Sequence, residues 1–409
     1  MVGLFLSVVL LSSCATRPDS LVVRSDSALP AVAILNKDAG CGNGAIVTLR
    51  MEDGRELPFF VDTGAPMTVL DKSLEPELGK CLGTHTLNNF GVEYEGNSHT
   101  APRLYLGVMP LATDSNIVTS DFLQKVSSDA GRSILGVLGM DCLQHYCVQF
   151  DFRAREMRFL DPNRIEPERL GKAFPLTLSN RDNSDTRWVR PYIHHSHLVG
   201  AEEIDLLIDT GHGDDGALEP EILRREIQAR TLRVETDVND ANEPKAAYLA
   251  GCIWSGESYK DLVIGNGRNT TASDDGENSL GLRFLARHLV TFDFPHRTLY
   301  LKRIRSGPLV DKEWLAATKA AGRSAFKLAR KMIRSGQLPG WSKNDPMMSK
   351  AICRLRRNPD RVTLDACKKG DPSSRHYEFI RLSKDDPWRL HRAWRTDPNG
   401  RTVEVYPVP

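Results

Sequence analysis

The feature that most constrains this chain is that it repeats itself. Phe59-Phe60-Val61-Asp62-Thr63-Gly64-Ala65 returns 147 residues later as Leu206-Leu207-Ile208-Asp209-Thr210-Gly211-His212. The match extends upstream without a gap, since residues 46–51, the Asp53-Gly54 turn and residues 57–61 align with residues 193–198, Gly200-Ala201 and residues 204–208. Each copy reads as a β-hairpin feeding an Asp-Thr-Gly turn. Farther on, Gly139-Met140-Asp141-Cys142-Leu143 and Val148-Gln149-Phe150-Asp151-Phe152 recur 142 residues later as Gly281-Leu282-Arg283-Phe284-Leu285 and Val290-Thr291-Phe292-Asp293-Phe294. The offsets differ by five residues, which fits length variation in an intervening surface loop. Two homologous lobes follow, residues 30–165 and 172–304.

Within each lobe, short β-branched and aromatic runs are broken by Gly, Pro, Asn and Asp, so both are predicted to be mainly β. Late strands are expected at 103–107 and 261–265, and short helices after Asp71, Asp141, Glu219 and Arg283. Beyond Arg303 the composition changes. Residues 311–335 predict a basic helix carrying Lys327, Arg330, Lys331 and Arg334, with Phe326, Ala329 and Ile333 on one face and Gly336 and Pro339 ending it. Residues 388–395 and 401–406 read as a hairpin around Asp397-Pro398-Asn399-Gly400. Residues 305–409 are therefore expected to form a small accessory α+β domain without a catalytic set of its own.

One Asp-Thr-Gly is weak evidence, but two in aligned contexts are not. In each, a hydrophobic strand delivers an aspartate to a tight turn, the threonine can both donate and accept, and the glycine permits backbone geometry that other residues resist. This repeated pattern resembles the aspartic proteases, particularly the bacterial retropepsin-like proteins, over roughly residues 40–303. The resemblance pairs each apolar-Asp-Thr-Gly turn with a later apolar-apolar-Gly segment, here Val137-Leu138-Gly139 and Ser279-Leu280-Gly281. It implies a mainly β fold of two retropepsin-like lobes around one bilobal cleft. The implied activity is a peptide-cleaving endopeptidase, acting without a cofactor on a peptide or protein substrate. Asp62 and Asp209 would be catalytic, sharing one proton across the dyad. Thr63 and Thr210 would brace the two loops, Gly64 and Gly211 would allow close approach of the substrate, and Ala65 and His212 would complete the support. Both lobes lie in one chain, so a monomer is implied. The residue 89–100 stretch, with Tyr94 and Gly96, is the candidate flap; its lobe-two counterpart, residues 231–248, is acidic and less hairpin-like.

Lobe two departs from the pattern. His212 stands where a small residue is usual, and Gly213-Asp214-Asp215-Gly216 adds acidity and flexibility beside Asp209. The Asp214 and Asp215 carboxylates are expected to raise the dyad's apparent pKa values, or His212 to clash with the partner loop and disable the site. The rival reading is an inactive peptide-binding envelope protein that keeps the double-lobed cleft.

Lys plus Arg number 54 against 53 Asp plus Glu, a net charge of +1 that draws the chain to no polyanion, so nucleic-acid binding is not expected. Residues 2–11 are almost wholly apolar, too short to span a bilayer, and end in Leu11-Ser12-Ser13-Cys14. Residues 1–20 thus read as an export signal resembling a bacterial lipobox, with Cys14 lipidated and the protein anchored in the cell envelope. Seven further cysteines lack zinc spacing, and Cys353 and Cys367 are the best candidates for a disulfide. His194, His195 and His197 suggest a metal cluster until the repeat sets them on a strand. Alternation would then put His194 on the face opposite the other two, so no metal site is expected.

Overall fold

Phe59-Phe60-Val61 and Leu206-Leu207-Ile208 are apolar at every position, a pattern suited only to strands covered on both faces, and all six side chains are buried. The computed structural model describes residues 6–9, 31–41, 44–89, 92–130, 132–179, 189–200, 202–234, 246–267, 276–310, 312–343, 352–355, 361–367, 374–382, 386–396 and 402–406. The chain divides into one unit of residues 1–237 and 244–309 and another of residues 238–243 and 310–409.

The first unit is mainly β and two-lobed. In lobe one the strand Glu56–Val61 runs parallel to Gly136–Leu138, which in turn pairs antiparallel with Val69–Asp71. Lobe two repeats this with Ile204–Asp209, Ser279–Gly281 and Gly216–Leu218. Asp62 and Asp209 therefore stand at equivalent strand ends, with the glycine-bearing segments alongside.

A six-stranded sheet joins the lobes, in the order Lys172–Pro175, Thr298–Arg303, His288–Asp293, Cys147–Asp151, Glu156–Leu160, Ala31–Ile34. Its central antiparallel pair sets Val148 opposite Phe292, Gln149 opposite Thr291 and Phe150 opposite Val290. Gln149 and Thr291 are the same position in the two copies, and the Gln149 amide donates to the Thr291 hydroxyl at 2.9 Å. A local two-fold axis through this pair relates the lobes.

The lobes differ where their connections do. Lobe one inserts the strands Leu104–Leu106 and Met109–Pro110, which pair back toward Ile46–Met51, and the helix Phe122–Ala130. Lobe two instead joins Ala246–Trp254 to Glu257–Asn266 by Ser255-Gly256, both at positive φ as a tight hairpin requires. The five-residue difference in offset is thus the net of several changes rather than one loop. The 261–265 strand is part of Glu257–Asn266 and the 103–107 strand is Leu104–Leu106. The expected short helices are the 3-10 turn Lys72–Glu77 and the helices Met140–Leu143, Pro220–Gln228 and Leu282–Leu285, of which Met140–Leu143 and Leu282–Leu285 contain Asp141 and Arg283 rather than following them.

The second unit is α+β. Helix Lys312–Arg334 lays Ala321, Ala325, Ala329 and Ile333, spaced at one turn, against Val362, Leu364, Tyr377, Phe379 and Ala393 of a sequential five-stranded antiparallel sheet. Strands Arg389–Thr396 and Thr402–Tyr406 form the expected terminal hairpin, whose turn residues 397–400 lie outside the described residues. Strand Ile352–Leu355 pairs antiparallel with Arg361–Cys367. The side chains of Cys353 and Cys367, the expected disulfide pair, lie outside the described residues.

At the N-terminus, Leu6–Val9 pairs antiparallel with Cys81–Asn89. Cys14 and the rest of the expected export signal lie outside the described residues. No helix among the described residues is long and apolar enough to cross a membrane.

Arg287 is the bulkiest fully buried side chain among the described residues. It meets Asp215 as an ion pair and donates to the carbonyls of Lys260 at 2.6 Å and Ser306 at 2.9 Å. Arg287→Met takes the nearer of two arginines from the buried Asp215 carboxylate, leaving Arg283 at 3.4 Å, and should lower unfolding free energy by about 3 kcal/mol, read by urea titration.

Candidate active site

The two Asp-Thr-Gly loops meet. Thr63 N–H donates to Thr210 Oγ1 at 2.9 Å and Thr210 N–H donates to Thr63 Oγ1 at 3.0 Å. Each hydroxyl in turn donates to a main-chain carbonyl of the opposite lobe, Thr63 to Ile208 at 2.6 Å and Thr210 to Val61 at 2.9 Å. Four buried hydrogen bonds in a reciprocal ring thus fix one loop against the other. A hydroxyl can accept from one neighbour and donate to another, and the threonine at each position supplies one.

Gly64 and Gly211 serve a closer approach than the one expected. A Cβ on Gly211 would stand 2.4 Å from the Asp62 carboxyl, and one on Gly64 would stand 2.6 Å from Asp209 Oδ1. Each lobe's glycine is therefore the space that holds the other lobe's aspartate, and the two carboxyls are brought together across the interface.

Asp62 and Asp209 are both wholly buried. Asp62 Oδ1 accepts from the amides of Gly64 at 2.8 Å and Ala65 at 3.1 Å, and Asp209 Oδ1 accepts from Gly211 at 2.7 Å. Asp62 Oδ2 and Asp209 Oδ2 are buried and, apart from the opposing carboxyl, meet no hydrogen-bond donor among the described residues. Burial pushes the Asp62 carboxyl above the ordinary carboxylate range, while neighbouring Asp209, the Gly64 and Ala65 amides and the Arg190 charge draw it back. Burial and then the charge of Asp62 hold Asp209 well above that range, opposed by His212 and the Gly211 amide. The pair can carry one proton and one negative charge at near-neutral pH.

The His212 side chain packs against its own lobe, with its ring buried against Gly265 and Gly281 and Nε2 3.1 Å from the Gly216 carbonyl. Burial lowers its pKa and favours the neutral ring. Residues 213–216 are buried, and the acidity of Asp215 is taken up by Arg287 and by Arg283 at 3.4 Å. At the same places in lobe one Thr68 donates to Asp141 at 2.7 Å, and burial pushes Asp141 up to about 7. Sequence reasoning passed over these braces, although the alignment of Thr68 with Asp215 and of Asp141 with Arg283 held the signal. It also passed over Arg190, Tyr192 and Glu277, which pack together on lobe two.

The flap candidate is one strand of a hairpin, Cys81–Asn89 with Val92–Thr100, so the turn falls at residues 90–91, outside the described residues. Tyr94 is half-buried against Phe122, with ring centroids 5.8 Å apart. In lobe two the corresponding strands are Arg233–Val234 and Ala246–Trp254, and residues 235–245 between them lie outside the described residues.

Among the described residues no group of three or more His, Cys, Asp or Glu side chains could hold a metal ion. His194 and His195 do not alternate as expected, because the strand bulges between Ile193 and Ser196 with His195 at φ 53°. Both are exposed and paired with carboxylates, His194 with Asp205 and His195 with Glu203.

No protein-family model matches this chain, and no curated protein sequence matches it. Among solved structures it is similar to basic 7S globulin from soybean, at 14% identity and TM-score 0.44 over 67% of this chain and 94% of the globulin. It is also similar to the aspartic proteinase from Irpex lacteus, at 12% identity and TM-score 0.43 over 68% of this chain and 98% of the proteinase. The chemistry open to the site rests on its own residues.

Thr63→Val and Thr210→Val each remove a hydroxyl and leave a buried amide and carbonyl unmatched. Each should cost about 2–4 kcal/mol of stability in chemical denaturation, and Thr63→Ser, which keeps the hydroxyl, should cost under about 1 kcal/mol.

Proposed function

We propose that this chain is an aspartic endopeptidase of retropepsin-like type, with Asp62 and Asp209 as its acid and base. The observation that carries the reading is the pair of buried carboxyls, one from each lobe, each seated against the other lobe's glycine with one oxygen held by backbone amides. Peptide binding alone has no use for such a pair, since bringing two acids together in a dry site costs free energy that only their shared proton relieves.

In the proposed reaction Asp62, which accepts two amide hydrogen bonds, is the ionised partner and Asp209 holds the proton. Asp62 takes a proton from a water whose oxygen bonds to the scissile carbonyl carbon, while Asp209 gives its proton to the carbonyl oxygen. The tetrahedral diol then collapses. Its hydroxyl proton returns to Asp209, the C–N bond breaks, and the leaving nitrogen takes the proton held by Asp62, so the dyad ends as it began. His212 is folded back into its own lobe, with Nε2 3.1 Å from the Gly216 carbonyl. One chain brings both carboxyls, so a monomer suffices.

Export and attachment to the bacterial cell envelope through Cys14 belong to the same proposal, supported by the Leu11-Ser12-Ser13-Cys14 sequence. Palmitate labelling in cells, lost in Cys14→Ala, tests them.

Residues 20–409, incubated with unfolded protein substrates and followed by mass spectrometry, should yield internal cleavages. Asp62→Asn and Asp209→Asn, each with retained fold by circular dichroism, should lower kcat/KM by at least about 10³-fold. Full activity in folded Asp209→Asn would refute the two-lobe mechanism.

The pH profile carries its own expectation. Burial raises both carboxyls, so the acidic limb, where the base is lost by protonation, moves upward. Its midpoint should lie above about pH 4, the ordinary carboxylate range, with activity persisting toward neutrality.

A further inference from the structure

The lobes are not equivalent directly beneath the dyad. In lobe one Ile46 pairs with Phe60, so two positions on Gly44 stands opposite Asp62. The Phe60 ring fills that place, and a Cβ on Gly44 would come within 1.7 Å of it. In lobe two Tyr192 pairs with Leu207, and continuing that register two residues along each strand brings Arg190 level with Asp209. Directly opposed residues of an antiparallel pair share a face, as do residues two apart. Arg190, Tyr192, Leu207 and Asp209 therefore point to one side of the sheet. Leucine in place of phenylalanine makes room there for an arginine.

That arginine is buried and held in place. Arg190 Nη1 meets Glu277 Oε2 at 2.7 Å, the Tyr192 hydroxyl donates to Glu277 Oε1 at 2.5 Å, and the guanidinium lies 5.7 Å from the Tyr192 ring centre. Glu277 sits on the strand side that Ser279 shares, next to Leu207 in the parallel register. Among the described residues, the charged and titratable groups packed around the two loops include Arg190 with Glu277, His212 beside Asp209, the buried Asp141 and Asp214, and Asp215, which is engaged by Arg283 and Arg287.

We propose that Arg190 is a positioning residue for the dyad, a fixed positive charge in the floor of lobe two that holds the Asp62–Asp209 pair in its singly ionised form. Glu277 and Tyr192 aim the guanidinium and temper its charge. The inference rests on the endopeptidase reading for its purpose, but the ionisation itself is measurable without turnover.

The experiment follows dyad ionisation in the full chain by ¹³C carboxyl resonances of labelled aspartate, assigned with Asp62→Asn and Asp209→Asn, alongside the acidic limb of kcat/KM. Arg190→Met should raise both midpoints by about one pH unit or more, as loss of a nearby opposite charge requires. Arg190→Lys should restore most of the difference, and Glu277→Gln, which frees the arginine of its counter-charge, should lower the midpoint. A folded Arg190→Met with an unmoved carboxyl titration and merely reduced kcat overturns the proposal and leaves Arg190 a packing residue. If Arg190→Met does not fold, Glu277→Gln decides, a lowered midpoint supporting the role and an unmoved one overturning it. If the wild-type chain cuts no peptide yet its carboxyl titration moves as stated, the endopeptidase reading falls and the role of Arg190 stands.

Discussion

The reciprocal hydrogen bonds of Thr63 and Thr210 are the constraint on which the rest of the site depends. Each hydroxyl answers both an amide and a carbonyl of the opposite loop, so neither loop is satisfied without the other. Inside the protein each such group left unmatched would cost about 1–3 kcal/mol, which makes the closed ring strongly preferred over any splayed arrangement. Only with the loops so locked can Gly64 and Gly211 hold the opposing carboxyls, and only then does burial raise both acids.

Around that ring the two lobes solve the same problem with different chemistry. Lobe one supports its loop with a hydroxyl and a carboxyl, Thr68 and Asp141, over an apolar layer that includes Phe60, Val137 and the Phe122–Ala130 helix. Lobe two supports its loop with ionic groups, Asp215 with Arg283 and Arg287 behind it and Arg190 with Glu277 beneath. The backbone is nearly two-fold while the charge distribution is not. A dyad that must hold a proton on one side and a charge on the other benefits from that inequality.

Much of this was legible in the residues. The repeated Asp-Thr-Gly, the hydrophobic strand before it and the later glycine specified both lobes and the pairing of Asp62 with Asp209, because a strand buried on both faces leaves a clear run of apolar residues. The basic helix at 312–334 was legible for a similar reason, its alanines and isoleucine recurring at one turn. What escaped depends on three-dimensional neighbours. Burial of Asp215 reads as surface acidity until Arg287, 72 residues away, is brought to it. The bulge at His195 breaks the alternation that the histidine pattern relied on.

The seam between the lobes has a further meaning. At its centre the chain meets its own second copy, Gln149 against Thr291, with the flanking aromatics exchanged in mirror order between Val148–Phe292 and Phe150–Val290. A surface that pairs with its own duplicate is self-complementary, so a mutation in one half is judged by how it fits the homologous place in the other. Covalent linkage relaxes that rule, for each copy is free to diverge once its mate is always present. The arginine under one aspartate and the glycine under the other are a difference that two identical halves could never have held.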